Sequence, residues 1–409
     1  MKMTTETSKL NPSLRFPGFE NNWESNPVGS LCESVVPGRN KPTDFSGEIP
    51  WITTPDFQHN DTIKRSVSGL GVTRVEAKKV GSKVVVKDSV VISCVGELGL
   101  VAIAGNEIVL NQQLHAFLPS SVVKPRYLLY ALSVRTKYMH RVATKTAVPY
   151  MNKENCNSIP VAYPTLPEQK KIADFFTAVD SRIGQLMQKK SLLEDYKKGV
   201  MQQIFTQAIR FKDEDGSDFP DWEEKKLGDY LISNRLGGNY SNTESDSGNP
   251  LIKMGSLGRG RIDLKKIEYI EAGEEIDSDD LLQVGDLLFN TRNTLELVGK
   301  VAIWRSELET AFYNSNIMRL EFPNTWFMNY WFNHYQGIKA LRRIATGTTS
   351  VAAIYTKDLL KVSMVVPSLE EQTKIANFLS AIDRKIETVE TQISETQAFK
   401  RGLLQQMFV

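Results

Sequence analysis

Two stretches of about forty residues each carry an apolar side chain at every seventh position. In the first, Ile172, Val179, Leu186, Leu193 and Val200 form one stripe, with Phe176, Ile183 and Ile204 beside it. In the second, Ile375, Ile382, Val389 and Leu403 repeat the pattern, with Leu379, Ile386, Ile393 and Met407 as partners. A mean spacing of 3.5 residues predicts two coiled-coil helices. Lys190, Lys197, Thr396 and Lys400 interrupt the stripes in their distal halves. Each helix has a written start, because Thr165-x-x-Glu168 and Ser368-x-x-Glu371 are capping boxes. Before each helix the pattern changes to short β-rich runs bounded by Gly, Pro, Asn or Asp: WITTPDF, KVVVKDSVVIS and LVAIAGNEIVL in the first half, and LIKMGSL, LLQVGDLLFN, KVAIWRS and NIMRLEF in the second. RYLLYALSVRTKYMHRV and WFMNYWFNHYQGIKALRRIA predict one further helix apiece. The expected class is α+β, in two domains that each precede a long helix.

The chain is written twice. Aligned without gaps at an offset of 203, the segments beginning at Leu166 and Leu369 share 16 identities in 41 positions. Phe16-Pro17 maps onto Phe219-Pro220, and Gly99, Val101, Ala102 and Ile103 match Gly299, Val301, Ala302 and Ile303. The boundaries read as 1–165 for the first domain with an N-terminal arm over 1–11, 166–210 for the central helix, 211–368 for the second domain and 369–409 for the last helix. Two such helices close most simply on each other. Antiparallel pairing would set the domains at opposite ends of a rod roughly 60 Å long, related by a pseudo-twofold axis.

Composition narrows the chemistry. The 409 residues carry a net charge of +2, are 41% hydrophobic and 24% charged, and so describe an ordinary folded protein. The near-neutral total hides a split, with +6 over 1–165, +3 over 166–210, −6 over 211–368 and −1 over the rest. The first domain is therefore the polyanion binder on charge alone, and in the second the acidic clusters at 213–229 and 271–286 are expected to face away from any such ligand. Cys32, Cys94 and Cys156 form no C-x-x-C pair, which points to buried thiols in a reducing compartment. The start MKMTTETSKLNPS lacks an apolar core with a cleavage site, and the most apolar window, 90–110, is broken by Glu97, Gly99, Gly105, Asn106 and Glu107. A cytoplasmic location without a membrane span is expected. There is no phosphate loop, no glycine-rich dinucleotide turn and no H-E-x-x-H; Asn249-Pro250 is followed by Leu251 instead of the second proline of an adenine-methyltransferase motif. His59, His115, His140 and His334 are scattered, so neither a catalytic nor a metal site is predicted.

The helix opening L-x-E-Q-x-K-I-A-x-F and the closing K-(K/R)-G-x-x-Q-Q-x-F, placed twice around two divergent domains, resemble the specificity subunit of Type I restriction-modification systems over essentially the whole chain. The resemblance implies two target-recognition domains, each reading one half of a bipartite, asymmetric double-stranded DNA site. It implies helices that set the spacing and bind two modification subunits. Those subunits carry S-adenosylmethionine and methylate adenine, while restriction subunits use ATP and Mg for translocation and cleavage; this chain itself holds no cofactor. The competing reading is a helical adaptor that joins two protein partners without sequence-specific DNA binding.

Candidate DNA contacts are loop residues able to donate to phosphates or base edges. In the first domain these are Arg39, Lys41, Thr53, Lys145 and Thr146; in the second, Lys253, Arg259, Arg261, Arg292, Asn293, Thr348 and Thr349. Arg259 and Arg261 stand out because the glycines of GSLGRGR let the backbone approach while guanidinium pairs bidentately with guanine. At each position the alternative is a solvated surface residue. The segments ATKTAVPY and ATGTTSVAAIY align at Ala143 with Ala345 and Thr144 with Thr346, as a loop beside a DNA backbone or as a tight turn. Trp51, Trp304, Trp326 and Trp331 are expected in the core. Gln169, Lys171, Gln202, Gln203 and Phe205 recur as Gln372, Lys374, Gln405, Gln406 and Phe408. They are candidates for two equivalent subunit interfaces, or for residues that cap and bridge the helical pair in the same way twice.

Overall fold

The computed structural model describes residues 10–38, 40–57 and 62–409. The chain forms two compact units, one of Met1–Met187 with Thr391–Val409 and one of Gln188–Glu390. Each unit contains one domain and a part of both long helices.

In the first unit Glu24–Pro27 pairs antiparallel with Pro160–Tyr163, Glu24 opposite Tyr163. A five-stranded sheet runs in the order Ser34–Val35, Leu114–Phe117, Val90–Ser93, Val101–Ala104, Thr62–Ile63, and a four-stranded sheet in the order Gly71–Val72, Ile49–Ile52, Ile108–Leu110, Val84–Val85. The helices α1 (Pro125–Ser133) and α2 (Thr136–Val142) follow, then the long helix α3 (Leu166–Phe205). The second unit repeats the plan. Glu223–Lys226 pairs with Ser363–Val366, and Ser233–Leu236, Ile317–Glu321, Leu287–Asn290 and Val301–Ile303 form the matching sheet. A parallel pairing also recurs between equivalent strands, Trp51 opposite Val109 in one unit and Leu251 opposite Phe312 in the other. Helices α4 (Thr325–Asn333) and α5 (Tyr335–Ile344) precede the long helix α6 (Leu369–Met407).

Central strands such as Val90–Ser93, Leu114–Phe117 and Leu287–Asn290 are buried at every position. They read as unbroken apolar runs, not alternations, because both faces are covered. Trp51, Trp304 and Trp331 are buried, and Trp326 is half-buried against the core that holds Trp331. The three cysteines are buried and free.

The single helix expected between sheet and loop is two in each unit. At His334 the backbone is extended (φ −77°, ψ 158°), and this residue ends α4 and caps α5, its ring accepting from the Gln336 amide at 3.4 Å. A Cβ at Gly337 would lie 2.2 Å from the Trp331 carbonyl oxygen, so glycine is what lets α5 fold back onto α4. In the first unit the break falls at Val134-Arg135, where the Arg135 side chain leaves to donate to the Pro160 carbonyl at 3.0 Å.

Within the first unit the start of α3 lies against the end of α6, with the Phe176 and Phe408 rings 6.0 Å apart. Within the second, Val200 and Ile204 of α3 share a core with Ile375, Leu379 and Ile382 of α6. The long helices are thus antiparallel in both. Where the apolar stripe fails, charge replaces it. Lys400 pairs with Asp180 at 2.5 Å, Lys197 with Asp383 at 2.5 Å and Lys190 with Glu390 at 2.9 Å. The exchange of Lys–Asp partners between the two helices is the reciprocity that a twofold-related pair produces.

Candidate nucleic-acid interface

Both domains build the same loop layout at the end of a central strand. In the first, Cys94–Gly96 runs on from Val90–Ser93 and lies beside the 144–150 loop. Gly96 donates to Pro149, Thr144 to Tyr150 and Met151 to Cys94, each at 2.9 Å through the backbone. In the second, Arg292–Asn293 pairs with Ala352–Ala353, which pairs in turn with Thr346–Gly347. Ile354 donates to Thr291 at 2.9 Å and Leu295 to Thr349 at 3.1 Å. Arg292 and Asn293 on one small sheet and Thr348 and Thr349 in the turn between two of its strands are therefore brought together, and Lys145 and Thr146 sit on the equivalent loop. The hydroxyls organise these turns: Thr146 Oγ1 donates to the Val148 carbonyl at 2.7 Å, and Thr348 Oγ1 lies 3.2 Å from Ser350 Oγ. Lys145, Thr146, Arg292, Thr348 and Thr349 are exposed. Beside this sheet a cleft of about 300 Å³ is lined by Thr291, Arg292, Asn316 and Tyr355.

The remaining candidates are elsewhere. Arg39 lies outside the described residues. Lys41 is exposed, with its ammonium 5.3 Å from the Trp51 ring centroid and 5.8 Å from that of Phe45. Thr53 donates its amide and hydroxyl to Asp56 at 2.6 and 2.9 Å, capping the turn after its strand. Lys253, at the equivalent point of the second domain, donates to Glu268 and Asn242 at 2.8 and 2.9 Å. Arg261 reaches α6 and pairs with Glu390 at 3.1 Å. Gly260 (φ +82°) serves an internal approach, donating to the Val301 carbonyl at 2.7 Å. Arg259 lies at a cleft of about 510 Å³ lined also by Met201, Tyr335 and Ile338. Its buried Nη1 has no acceptor, and Nη2 reaches only the Glu296 carbonyl, at 3.4 Å. Burial, then the nearby Arg342, lower its pKa.

In the helical candidates the repetition is carried mostly by internal packing. Gln169 donates to the Val122 and Pro164 carbonyls at 3.0 and 2.9 Å and accepts from the Lys124 amide at 2.8 Å. Gln372 donates to the Pro367 carbonyl and accepts from the Tyr230 hydroxyl, both at 2.8 Å. Phe205 stacks on His334 at 4.8 Å, and Phe408 packs against Tyr127 at 5.4 Å; both are buried. Lys171 and Lys374 lie over Phe16 and Phe219 at 5.8 and 5.2 Å. Gln202 contacts His334 at 3.3 Å. Gln203, Gln405 and Gln406 are exposed, and their side chains have no hydrogen-bond partner among the described residues.

Two repeated devices escaped the sequence reading. The capping-box glutamates do not turn back on their own helix starts. Glu168 takes a bidentate pair from Arg15, both contacts 2.7 Å, and Glu371 accepts from Arg210 at 2.8 Å and Trp222 Nε1 at 3.1 Å. Ser368 Oγ still caps the Glu371 amide at 3.3 Å. Secondly, Tyr130 donates to Asp180 at 2.7 Å and Tyr330 to Asp383 at 2.8 Å, with Lys400 and Lys197 lying over the same rings at 5.4 and 5.2 Å. Burial first, and then Asp383, drive the Tyr330 phenol pKa well upward. A third feature belongs to the first unit: a cleft of about 580 Å³ lined by Lys64, Lys87, Lys124 and Arg126.

Among the described residues no group of three or more His, Cys, Asp or Glu could hold a metal ion, and no helix is long and apolar enough to cross a membrane.

The sequence profile of the Type I restriction modification DNA specificity domain matches residues 20–195 and 220–397. The chain is 28% identical over 218 residues to the putative type I restriction enzyme MjaX specificity subunit of Methanocaldococcus jannaschii, covering 51% of this chain and 50% of that protein. It is 24% identical over 299 residues to the MjaVIII specificity subunit of the same organism, covering 70% and 69%. The match thus spans half the length of the first relative and about two thirds of the second. In fold, the chain resembles the crystal structure of the Type I restriction-modification system S subunit from M. genitalium, with a TM-score of 0.60 and 14% identity over 98% of this chain and 99% of that one.

Proposed function

The chain belongs to the Type I restriction-modification DNA specificity family, and on that premise we propose that it is the non-catalytic recognition subunit of such a complex, working in the cytoplasm. Each domain reads one half of a bipartite, asymmetric site on double-stranded DNA. The helices set the distance between the half-sites and dock two modification subunits. Adenine N6 methylation with S-adenosylmethionine, and ATP- and Mg-dependent restriction, are the work of the partner subunits. The observation that carries this reading is the duplicated loop layout, with exposed Arg292, Thr348 and Thr349 and half-buried Asn293 in one domain and exposed Lys145 and Thr146 in the other. Recognition needs donors to phosphates and base edges on loops held by a rigid sheet, and this layout supplies them twice.

The chain's own residues position and recognise. The Arg15–Glu168 and Arg210–Glu371 pairs tie the segment leading into each domain to the first turn of a long helix, so the orientation of a domain is set at both ends of its chain. Exposed Gln203, Gln405 and Gln406 are the parts of the helical repeat left to a partner.

The test is a genome-wide map of N6-methyladenine in cells carrying the cognate modification subunit, with and without this chain. A bipartite motif that appears only with the chain is the expected result. A stable complex that adds no motif would favour the adaptor reading.

A further inference from the structure

Helices α2 and α5 end in exposed basic residues. Lys137, His140 and Arg141 stand on α2, and Lys339, Arg342 and Arg343 on α5. Positions i, i+3 and i+4 share one helix face, so each set is a single basic surface. Neither helix contains a carboxylate, and none of the six residues makes an ion pair among the described residues. The two sets coincide at a constant shift of 202, which runs on into the loops: Lys137 maps to Lys339, Arg141 to Arg343, Thr144 to Thr346 and Thr146 to Thr348. Where the first domain has His140 and Lys145, the second has Arg342 and Gly347, so each keeps three permanent cations.

This surface is conspicuous in the second unit, whose domain is net acidic. Arg235 is bound to Asp277 and Asp280, Arg305 to Asp383, and Arg319 to Asp286. The cations of α5, like Arg292, Lys300 and Lys357, are in no such pair among the described residues. Close to them, Arg259 has a buried Nη1 without an acceptor and a second guanidinium, Arg342, as a charged neighbour. Glu296 offsets part of that charge, but a buried donor without an acceptor beside a second guanidinium costs free energy that a further anion would relieve. Exposed hydroxyls of Thr146 and Thr348 follow in the loops, and hydroxyls with Arg and Lys are the usual donors to phosphate oxygens.

We propose that α2 and α5, each with the threonine loop after it, form the phosphate grip of the two domains, holding the DNA backbone independently of sequence, with Arg259 completing the site in the second. This rests on the DNA-recognition reading and deepens it. Base reading is left to the neighbouring loops, so the grip is shared by domains that recognise different half-sites.

The experiment uses the full chain in complex with its modification subunits. Binding is measured across a potassium chloride series to a duplex carrying the motif found by methylation mapping and to one of scrambled sequence. For Arg342→Gln with Arg343→Gln, and separately for Lys137→Gln with Arg141→Gln, the slope of log affinity against log salt is expected to flatten by about two, since each lost phosphate contact removes about 0.9. Arg259→Gln should flatten it by about one. Both duplexes should weaken by the same factor, the methylated motif should stay unchanged, and Arg343→Lys should restore the slope. A steep slope that survives these substitutions overturns the grip alone. So does a changed base in the motif, which would make these residues base readers, or loss of modification subunits with the slope retained, which would make the surface a site for an acidic protein. No salt-dependent binding by the unsubstituted complex would remove the recognition reading, and the grip with it.

Discussion

Asp383 shows how one residue can hold a junction. It accepts from Tyr330 and pairs with Lys197 and Arg305, at 2.8, 2.5 and 3.2 Å, while itself buried. Asp383→Ala would leave two cations partly buried without their anion, and breaking such a network costs about 3–5 kcal/mol. A urea titration of the full chain should record that loss for the second unit. An unchanged midpoint would mean that Glu387, the other partner of Arg305, carries the junction alone. His115 sets a pH limit. It is buried in a central strand against Phe117, and burial lowers its pKa to about 4. The unfolded chain binds the proton first as pH falls below about 6.5, so folded stability declines from there until the folded imidazole is protonated near pH 4. About 2 kcal/mol should disappear between pH 7 and pH 5, and His115→Asn should flatten that part of the stability profile. Of these residues the sequence marked only Lys197, as a gap in a stripe, and His115, as an isolated histidine. Their neighbours come from segments far apart in the chain, and no local spacing encodes that.

The elements of the two units agree at positions where the sequence repeat is kept. Gly99 and Gly299 both precede the strand that lies next to the central one, and both have positive φ, +94° and +71°. A Cβ at Gly99 would lie 2.3 Å from Thr136 Oγ1, and one at Gly299 would lie 3.0 Å from Ile354 Cδ1 and 3.3 Å from Leu341 Cβ. Conformation and contact therefore both demand glycine. Gly99→Ala and Gly299→Ala should each destabilise their own unit by about 1–3 kcal/mol. Hydrogen exchange would localise the effect to the strand and to α2 or α5, and protection lost evenly across both units would contradict it. The long helices were fully legible, because a period of 3.5 needs no partner to be recognised. The split of the shorter helices was not, since the residues at the breaks, Val134-Arg135 and His334, carry no strong breaker signal. The break is set by where Arg135 and His334 find hydrogen bonds after packing.

At the scale of the whole molecule, modularity is the main prediction. The strand pairs Glu24–Pro27 with Pro160–Tyr163, and Glu223–Lys226 with Ser363–Val366, close each domain at its two chain ends. The Arg15–Glu168 pair lies outside the first closure. Replacing residues 24–163 by the matching segment of a relative, instead of the larger 12–165, keeps that pair. It should change one half of the methylated motif and leave the other as it was. A change in both halves would rule out independent domains. The duplication, the two long helices, the α+β class and the family were all determined by the sequence, since periodicity and self-similarity are properties of the chain itself. Which polar repeats face outward was decided only by the tertiary structure. Gln169, Gln372, Phe205 and Phe408 looked like shared binding residues because they recur, yet packing turns them inward. Arg261 looked like a base reader, yet Glu390 holds it. That the cations of α2 and α5 have no ion pair among the described residues was likewise decided only by the tertiary structure, because which carboxylate neutralises which guanidinium depends on three-dimensional proximity.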